Sequence, residues 1–235
     1  ARADSRYSRR SAVVSAWRSG ERDELKSLLS DSAFRDEFSP PEQLDLFTDA
    51  RDFSGLAGAV ARYELSEFFS LSLIPALFTA TIWVLILMPF WTITPQRVVL
   101  SLLAFTAGIL SAGLTIYLVM IQERMQGFSH QLNDPPLNQV IYFVAGVALR
   151  EESLKLLCFL PLGIWAAMKG RYLDGMILAS LVGLGFAFKE NILYFDDGTV
   201  SFTALIRFLT ANVLHFSLTG IAGFYLVKML HRKFH

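Results

Sequence analysis

The chain has 235 residues, of which 53% are hydrophobic and only 18% are charged, and its mean hydropathy is +0.43. These values are typical of a membrane protein and exclude an ordinary water-soluble domain. The formal net charge is zero, so nothing in the overall charge indicates nucleic-acid binding. The single cysteine, Cys158, excludes an internal disulfide and a zinc cage built of cysteines.

Residues 1–68 differ in composition from the rest of the chain. They carry ten Lys/Arg and thirteen Asp/Glu, and they predict two or three short helices in a soluble, charged helical region. The apolar residues at helical spacing are Trp17, Leu25, Leu28, Leu29, Phe34 and Phe38. Ser39 followed by Pro40 and Pro41 predicts the start of a new helix, because proline is favoured in the first helical turn. Both a packing module and a substrate-handling domain remain open as roles for this region.

Residues 69–235 are predicted to be a transmembrane domain. Their apolar stretches have the length of membrane-spanning helices, for which about 20 residues are needed. The predicted spans are 71–91, 98–121, 140–168, 173–195 and 202–230. The predicted fold class is therefore all-α, a polytopic membrane protein with about five transmembrane helices and an N-terminal soluble helical region.

The third span carries ionisable residues in its middle. Val140–Leu149 supplies ten apolar or small residues and Leu156–Met168 thirteen, so neither half is long enough to cross a bilayer by itself. Arg150, Glu151, Glu152 and Lys155 lie between the two halves. We therefore expect one long helix with charges at membrane depth, where charged groups usually serve a function.

The loops predict the orientation of the chain. Five spans place the two chain ends on opposite sides of the membrane. Basic residues concentrate in the loops 92–97 and 169–172 and in the tail from Lys228, whereas Arg124 is alone in the two opposite loops. The residues concerned are Arg97, Lys169, Arg171, Lys228, Arg232 and Lys233. This bias predicts a multi-pass protein of the cell membrane with a cytoplasmic C-terminal tail.

Two interpretations are open for the acidic pair. Glu151 and Lys155 are four residues apart and share a helix face, so they could form an ion pair that only holds the helices together. Glu152, however, places a second carboxylate beside the first. Adjacent carboxylates in a low dielectric suit general acid–base chemistry or the binding of a cation.

The fourth and fifth spans add polar residues to the same membrane side. Glu190 lies about 9 Å inside the end of the fourth span, at 1.5 Å per residue. Gly175, Gly183 and Gly185 should let another helix approach closely. The fifth span contributes Asn212, His215 and Thr219.

Short connections between these spans predict that Glu151, Glu190 and His215 come together. Carboxylates and an imidazole form the ligand set of a hydrolytic zinc site. The same groups also suit metal-free hydrolysis or a proton or ion pathway. The spacing alone leaves these three alternatives open.

Three ordered motifs resemble the PrsW family of bacterial intramembrane metalloproteases, which is related to the CAAX prenyl endopeptidases. The first is Glu151-Glu152-Ser153-Leu154-Lys155. The second is Asp174-Gly175 followed by the run from Gly183 to Tyr194, which includes Lys189-Glu190-Asn191. The third is His215 with Thr219-Gly220. The resemblance covers roughly residues 133–230 and implies that the transmembrane domain, residues 69–235, is protease-like.

The resemblance implies a membrane-anchored protein as substrate, as in the family's cleavage of anti-sigma factors. It implies that Glu151 and Glu152 are the catalytic pair and that Glu190 and His215 belong to the second and third motifs. The related prenyl endopeptidases have histidine in place of Glu190 and asparagine in place of Thr219. This departure disfavours a prenylated substrate and leaves Asn191, Asn212 and Thr219 as candidate oxyanion donors.

The leading hypothesis is an intramembrane endopeptidase in a lipid bilayer. In its zinc form, slightly favoured, Glu152 or Glu151 would bind the metal with Glu190 and His215. In its metal-free form, Glu151 would activate water and His215 would stabilise the oxyanion, with Lys155 tuning the carboxylates. The alternatives are a proton-coupled carrier, disfavoured by the absence of a detectable repeat, and an inactive membrane scaffold.

Overall fold

The structure of the chain is a computed structural model. It describes residues 2–91, 93–125, 135–195 and 200–234. All regular structure within these ranges is helical, and the chain is an all-α polytopic membrane protein. The backbone divides into two compact units.

The first unit comprises Ala1–Ser66 and Ile116–Ser129. The helices that precede residue 69 are α1 (Arg2–Ser19), α2 (Arg22–Ser30), α3 (Ser32–Arg35), α4 (Pro40–Asp49) and α5 (Phe53–Phe68). One apolar core of this unit consists of Val13, Ala16, Leu25, Leu29, Phe38 and Leu46. Trp17, Leu28 and Phe34 pack against this core. All six apolar positions that the sequence analysis singled out therefore belong to it or contact it.

The number of helices in this region was predicted wrongly, since five are described and two or three were expected. Local backbone features divide the chain more often than the apolar spacing indicated. Gly20 follows α1 at φ +74°, and Arg51 separates α4 from α5 at φ +53°. Asp31 starts α3 because its side chain accepts a hydrogen bond from the Ala33 N–H at 2.9 Å.

The start of α4 at Pro40 was predicted correctly. Ser39 precedes the helix, and its backbone N–H donates to the Glu42 carboxylate at 2.6 Å. Arg10 of α1 donates to both oxygens of the same carboxylate, at 3.1 and 3.3 Å. Glu42 therefore ties the beginning of α4 to α1.

The second unit comprises Glu67–Thr115 and His130–His235. Its longer helices are α6 (Leu73–Leu87), α7 (Pro95–Val119), α8 (Pro136–Ile141), α9 (Leu149–Met168), α10 (Tyr172–Tyr194), α11 (Val200–Leu209) and α12 (Ala211–Phe234). A short 3₁₀ helix follows α6. The π-helix Met120–Met125, which follows α7, belongs to the first unit. Helices α9, α10 and α12 all pack against one another.

The helix that carries the acidic pair is continuous. Helix α8, the π-helix Tyr142–Ala148 and α9 follow one another without a break. They span residues 136–168, or about 50 Å at 1.5 Å per residue. This confirms the prediction that the two apolar halves on either side of Arg150 and Lys155 form one helix. Pro136 begins it, as predicted, whereas Asn133 and Asp134 lie outside the described residues.

Length and hydropathy identify three single helices of the described ranges as able to cross a membrane. They are Pro95–Glu123, Tyr172–Tyr194 and Leu205–Lys233, and the bent pair of α5 and α6 makes a fourth if it is one broken span. The helix of residues 136–168 fails this test because its charges interrupt the apolar sequence. The count of about five spans therefore stays a prediction.

The fifth predicted span is interrupted at Thr210, between α11 and α12. Helical hydrogen bonds nevertheless continue across the interruption. The Thr210 N–H donates to the Ile206 carbonyl, and the Leu214 N–H donates to the Thr210 carbonyl, each at 2.9 Å. Leu205–Lys233 is therefore one helix that is long and apolar enough to cross a membrane.

Helix α10 lies at the centre of the second unit, since 83% of its apolar stretch is buried. Its glycines allow the close approach that the sequence predicted. A Cβ atom on Gly183 would collide with the His215 carbonyl oxygen, and one on Gly175 would lie 2.7 Å from a Val227 methyl group. A Cβ atom on Gly185 would likewise collide with the backbone of Phe105 in α7. The backbone of α12 at His215 thus lies directly on α10.

Candidate active site

Lys155 lies at the centre of a group of connected polar side chains, called here the polar cluster. Its members are Glu151, Glu152, Lys155, Glu190, Asn191, Arg207, Asn212, His215 and Thr219. The Lys155 side chain is 0% exposed. The ammonium lies 2.7 Å from Glu152 Oε1 and 2.7 Å from His215 Nδ1. The ammonium also makes a cation–π contact with the Phe186 ring, at 3.8 Å from the ring centroid. A buried charge of this kind requires such partners, so Lys155 joins α9 to α10 and α12.

The contact with Lys155 determines the tautomer of His215. An ammonium group can only donate hydrogen bonds, so His215 Nδ1 must accept one and carries no proton. The ring proton therefore resides on Nε2, which donates to Glu190 Oε2 at 3.1 Å. His215 therefore links a lysine on one side to a carboxylate on the other.

Thr219 holds the second carboxylate of the acidic pair. Its hydroxyl donates to Glu152 Oε2 at 2.9 Å, while Glu152 Oε1 accepts from Lys155. Thr219 lies four residues after His215 on the same face of α12. Both oxygens of Glu152 are therefore engaged by donors from the cluster.

Glu151 is bound much more weakly than Glu152. Its Oε2 atom lies 3.7 Å from the Lys155 ammonium, an ion pair that is too long for a hydrogen bond. Among the residues that the structure describes, none donates a hydrogen bond to it. Its side chain is 14% exposed, compared with 23% for Glu152 and 22% for Glu190.

Glu190 is anchored by an arginine that the sequence analysis did not include. The Arg207 guanidinium donates to Glu190 Oε2 through Nη2 at 2.6 Å and to Asn191 Oδ1 through Nε at 2.6 Å. It also lies over the ring of Tyr194, at 4.0 Å from the centroid. Arg207 interrupts the apolar sequence of the fifth predicted span, and this isolated charge was the signal that could have identified it.

Two asparagines extend the cluster. Asn191 Nδ2 donates to Asn212 Oδ1 at 2.9 Å, and both side chains are 1% exposed. Asn212 lies three residues before His215 on α12, so the two share a helix face. The structure thus connects seven of the eight residues proposed from the sequence by hydrogen bonds, and Glu151 joins them by its ion pair with Lys155.

The arrangement does not fit a zinc ion bound by Glu152, Glu190 and His215. Nε2 of His215 faces Glu190, whereas Nδ1, on another edge of the ring, lies 4.0 Å from Glu152 Oε1. The three groups therefore do not converge on one point, as ligands of a single ion must. The Lys155 ammonium lies between Glu152 and His215, and the Arg207 guanidinium is bound to Glu190. In the part of the chain that the structure describes, no three His, Cys, Asp or Glu side chains could hold one metal.

Comparison with known proteins decides the family. A family model described as PrsW family intramembrane metalloprotease matches residues 94–235, more than half of the chain. The chain belongs to the PrsW family. No curated protein and no solved structure matches the chain.

The PrsW match includes every residue of the polar cluster, since all of them lie between positions 150 and 220. The chain is therefore an intramembrane protease, and the buried charges belong to a hydrolase of the membrane. The carrier and scaffold alternatives gain no support from this match. The family is described as a metalloprotease, and this description implies a metal ion.

Proposed function

We propose that this PrsW protein hydrolyses a peptide bond in a membrane-anchored protein, with Glu151 as the general base. One observation carries the assignment of the base. Glu151 has no hydrogen-bond donor among the described residues, whereas Glu152 and Glu190 accept hydrogen bonds, and all three side chains are partly exposed. A carboxylate that is free to accept a proton from water suits this role.

The reaction follows from this assignment. Glu151 takes a proton from water as the water oxygen attacks the carbonyl carbon of the substrate. The π electron pair of the carbonyl moves onto its oxygen and forms an oxyanion. The electron pair then returns, the C–N bond breaks, and the proton held by Glu151 passes to the leaving amine. Substrate and products differ by one water molecule, as hydrolysis requires.

The remaining residues are proposed to hold the catalytic groups in place. Glu152 anchors Lys155, whose ammonium lies 2.7 Å from Glu152 Oε1 and 3.7 Å from Glu151 Oε2. Glu190 and Lys155 fix the orientation of His215 from its two sides. Fixed dipoles and charges of this kind reduce the reorganisation that the transition state requires.

The acid–base route is proposed in preference to zinc because Glu152, Glu190 and His215 do not converge. Zinc bound by these three residues is the form that the sequence slightly favoured, and a metal ion is also implied by the family description. Assay of metal-depleted protein separates the two routes.

The substrate and location are proposed from the family and from the charge pattern. The substrate is a protein with a membrane anchor, and the enzyme is a multi-pass protein of the cell membrane. Its C-terminal tail faces the cytoplasm, because basic residues dominate the tail from Lys228 and the loops on that side. Residues 1–68 are proposed as a soluble region and residues 69–235 as the protease domain.

The proposed activity is tested with purified protein in liposomes and a library of quenched fluorescent single-span peptides. We expect cleavage at a defined bond, identified by mass spectrometry of the products. Glu151→Gln should abolish cleavage, because the amide cannot accept the proton of water. Glu21→Gln, at an exposed position of the first unit, is the matched control and should retain full activity. Normal turnover by Glu151→Gln would refute the assignment of the base.

A further inference from the structure

The side-chain amide of Asn212 has a free donor inside the polar cluster. The residue is 1% exposed, and its Nδ2 atom is buried without a hydrogen-bond partner among the described residues. Its Oδ1 atom, by contrast, accepts from Asn191 Nδ2 at 2.9 Å. A buried amide N–H without a partner destabilises a fold, because the group has lost its hydrogen bonds to water. Such a group in a native protein calls for an explanation.

Arg207 determines which atom of Asn212 is free. The Arg207 side chain can only donate hydrogen bonds, so the Asn191 atom that faces its Nε must be the oxygen. Asn191 therefore presents its NH₂ group to Asn212, which must accept with its own oxygen. This chain of contacts excludes the flipped amide of either asparagine. The NH₂ group of Asn212 is consequently the one left without a partner.

The other candidate oxyanion donors already donate to groups of the cluster. The Thr219 hydroxyl donates to Glu152, and the His215 Nε2–H donates to Glu190. Asn191 donates to Asn212. Thr219 and His215 would have to give up a hydrogen bond before they could bind a developing negative charge, and the NH₂ group of Asn191 is already tied to Asn212 by one of its two N–H bonds. Asn212 is the one amide of the described cluster whose NH₂ group donates no hydrogen bond.

We propose that the Asn212 Nδ2–H stabilises the oxyanion of the proposed peptide hydrolysis and that Arg207 is a positioning residue that aims it through Asn191. The proposal rests on the proposed function and names a donor for its intermediate. When water adds to the substrate carbonyl, the electron pair on the carbonyl oxygen accepts the hydrogen bond from Asn212. The bond is released when the C–N bond breaks and the carboxyl product forms.

The direct test is Asn212→Asp, assayed with the best peptide cleaved by the wild-type protein in liposomes. The substitution has almost the same size and keeps an oxygen to accept from Asn191, but it replaces the NH₂ group by a second oxygen. We expect kcat to fall by about 10²–10³, the range for loss of one oxyanion donor, with KM changed by less than about threefold. Asn138→Asp, the same change at an exposed residue of α8, should leave kcat unchanged.

A second variant distinguishes the loss of the Asn212 donor from a folding defect caused by the added charge. Asn212→Ala introduces no charge and should lower kcat to a similar degree. Thermal unfolding and size-exclusion chromatography in detergent establish that both variants are folded. Retention of kcat within about threefold by folded Asn212→Ala would overturn the proposal, because loss of an oxyanion donor costs at least a hundredfold.

The role of Arg207 is tested by a double-mutant cycle. Arg207→Lys keeps a positive charge near Glu190 but cannot donate in a fork to both Glu190 and Asn191. We expect it to lower kcat about tenfold or more in the wild-type background and by less than about twofold in the Asn212→Ala background. If the double variant loses kcat by the product of the two single-variant losses, Arg207 does not act through Asn212.

The outcomes for this proposal and for the proposed function are distinct. Cleavage by the wild-type protein with unaltered kcat in the Asn212 variants overturns the oxyanion assignment and leaves the protease intact. A wild-type protein that cleaves no peptide of the library overturns both. Loss of kcat in the Asn212 variants with a normal Asn138→Asp control supports both.

Discussion

The Lys155 ammonium lies 2.7 Å from His215 Nδ1, across the contact between α9 and α12. This single contact connects the motif that carries the acidic pair to the motif that carries the histidine, 60 residues further along the chain. It also assigns the ring proton of His215 to Nε2 and thereby directs it at Glu190. Lys155 therefore contacts the acidic pair on α9 and the histidine on α12 at once.

Replacement of Lys155 should have a severe effect. Lys155→Met leaves Glu152 without its cation and His215 without its donor. Removing one partner of a buried ion pair destabilises a protein by about 3–5 kcal/mol. We expect a lower thermal midpoint and at least a hundredfold loss of peptide cleavage. Lys169→Met, at an exposed lysine after α9, is the control, and a Lys155→Met variant as active as that control would contradict this assignment.

Replacement of His215 should abolish cleavage with little change in folding. His215→Ala removes the group that links Lys155 to Glu190, and catalytic groups that act as a unit lose nearly all activity when one is removed. Turnover is measured with the peptide assay, and folding by size-exclusion chromatography in detergent. His231→Ala changes a histidine at the far end of α12 and should stay active. Near-normal turnover by His215→Ala would exclude it from the active site.

Close packing of α10 on α12 should be required for activity. Gly183→Ala places a methyl group against the His215 carbonyl oxygen, so the backbone of α12 must shift. We expect both reduced thermal stability and reduced kcat. Gly58→Ala is the matched control, because the nearest atom to its new Cβ would be the Arg62 guanidinium at 3.6 Å. If both variants have wild-type activity, the approach at Gly183 does not position His215.

Metal depletion should leave the activity intact. The acid–base route predicts that protein treated with a chelator, and shown by elemental analysis to contain no metal, still cleaves the peptide at the original rate. The physical reason is that Glu151 activates water without a Lewis acid. Loss of cleavage that added zinc restores would refute this route and support zinc as the cofactor.

The stability of the first unit should depend on pH through Glu42. Burial by itself raises the pKa of this carboxyl, but hydrogen bonds from Arg10 and Ser39 outweigh it, so the pKa is lowered from its usual value of 4.5. The folded form thus favours the ionised group. The ionised Glu42 carboxylate therefore contributes fully to the stability of the first unit at pH values above its pKa in the unfolded chain. This contribution is lost as the pH falls through the lower pKa that the carboxyl has in the folded protein.

Hydrogen exchange of residues 36–50 in the whole protein measures this effect, after correction for the intrinsic exchange rates. We expect lower protection below about pH 4 in the wild-type protein, since the unfolded pKa of glutamate is about 4.3. Glu42→Gln should show low protection at all pH values. Asp23→Asn, at an exposed carboxyl of α2, should retain the wild-type profile. A wild-type profile in Glu42→Gln would show that another group is responsible.

The local features of the molecule could be predicted from the sequence because they depend on neighbouring residues. The start of α4 at Pro40 follows from the fixed φ angle of proline. The continuous helix through Glu151 follows from two apolar halves that are each too short. The close approach at Gly183 follows from the missing side chain. Arg207 could not be given a role in this way, because its partners lie 16 and 17 residues earlier in the chain.

By itself, the sequence determined the membrane environment, the order of the helices and the set of chemical groups on α9, α10 and α12. Hydropathy, helical spacing and motif order are properties of the linear chain, and they carry this information. Only the tertiary structure decided which groups pair. Glu152 and Glu190 accept hydrogen bonds from other helices, whereas Glu151 has only its ion pair with Lys155 and the Asn212 NH₂ group donates to none of the described residues. Hydrogen bonds depend on distance and direction across helices, so the linear sequence does not determine them. The sequence supplies carboxylates and an imidazole, and the structure places Lys155 against Glu152 and Arg207 against Glu190.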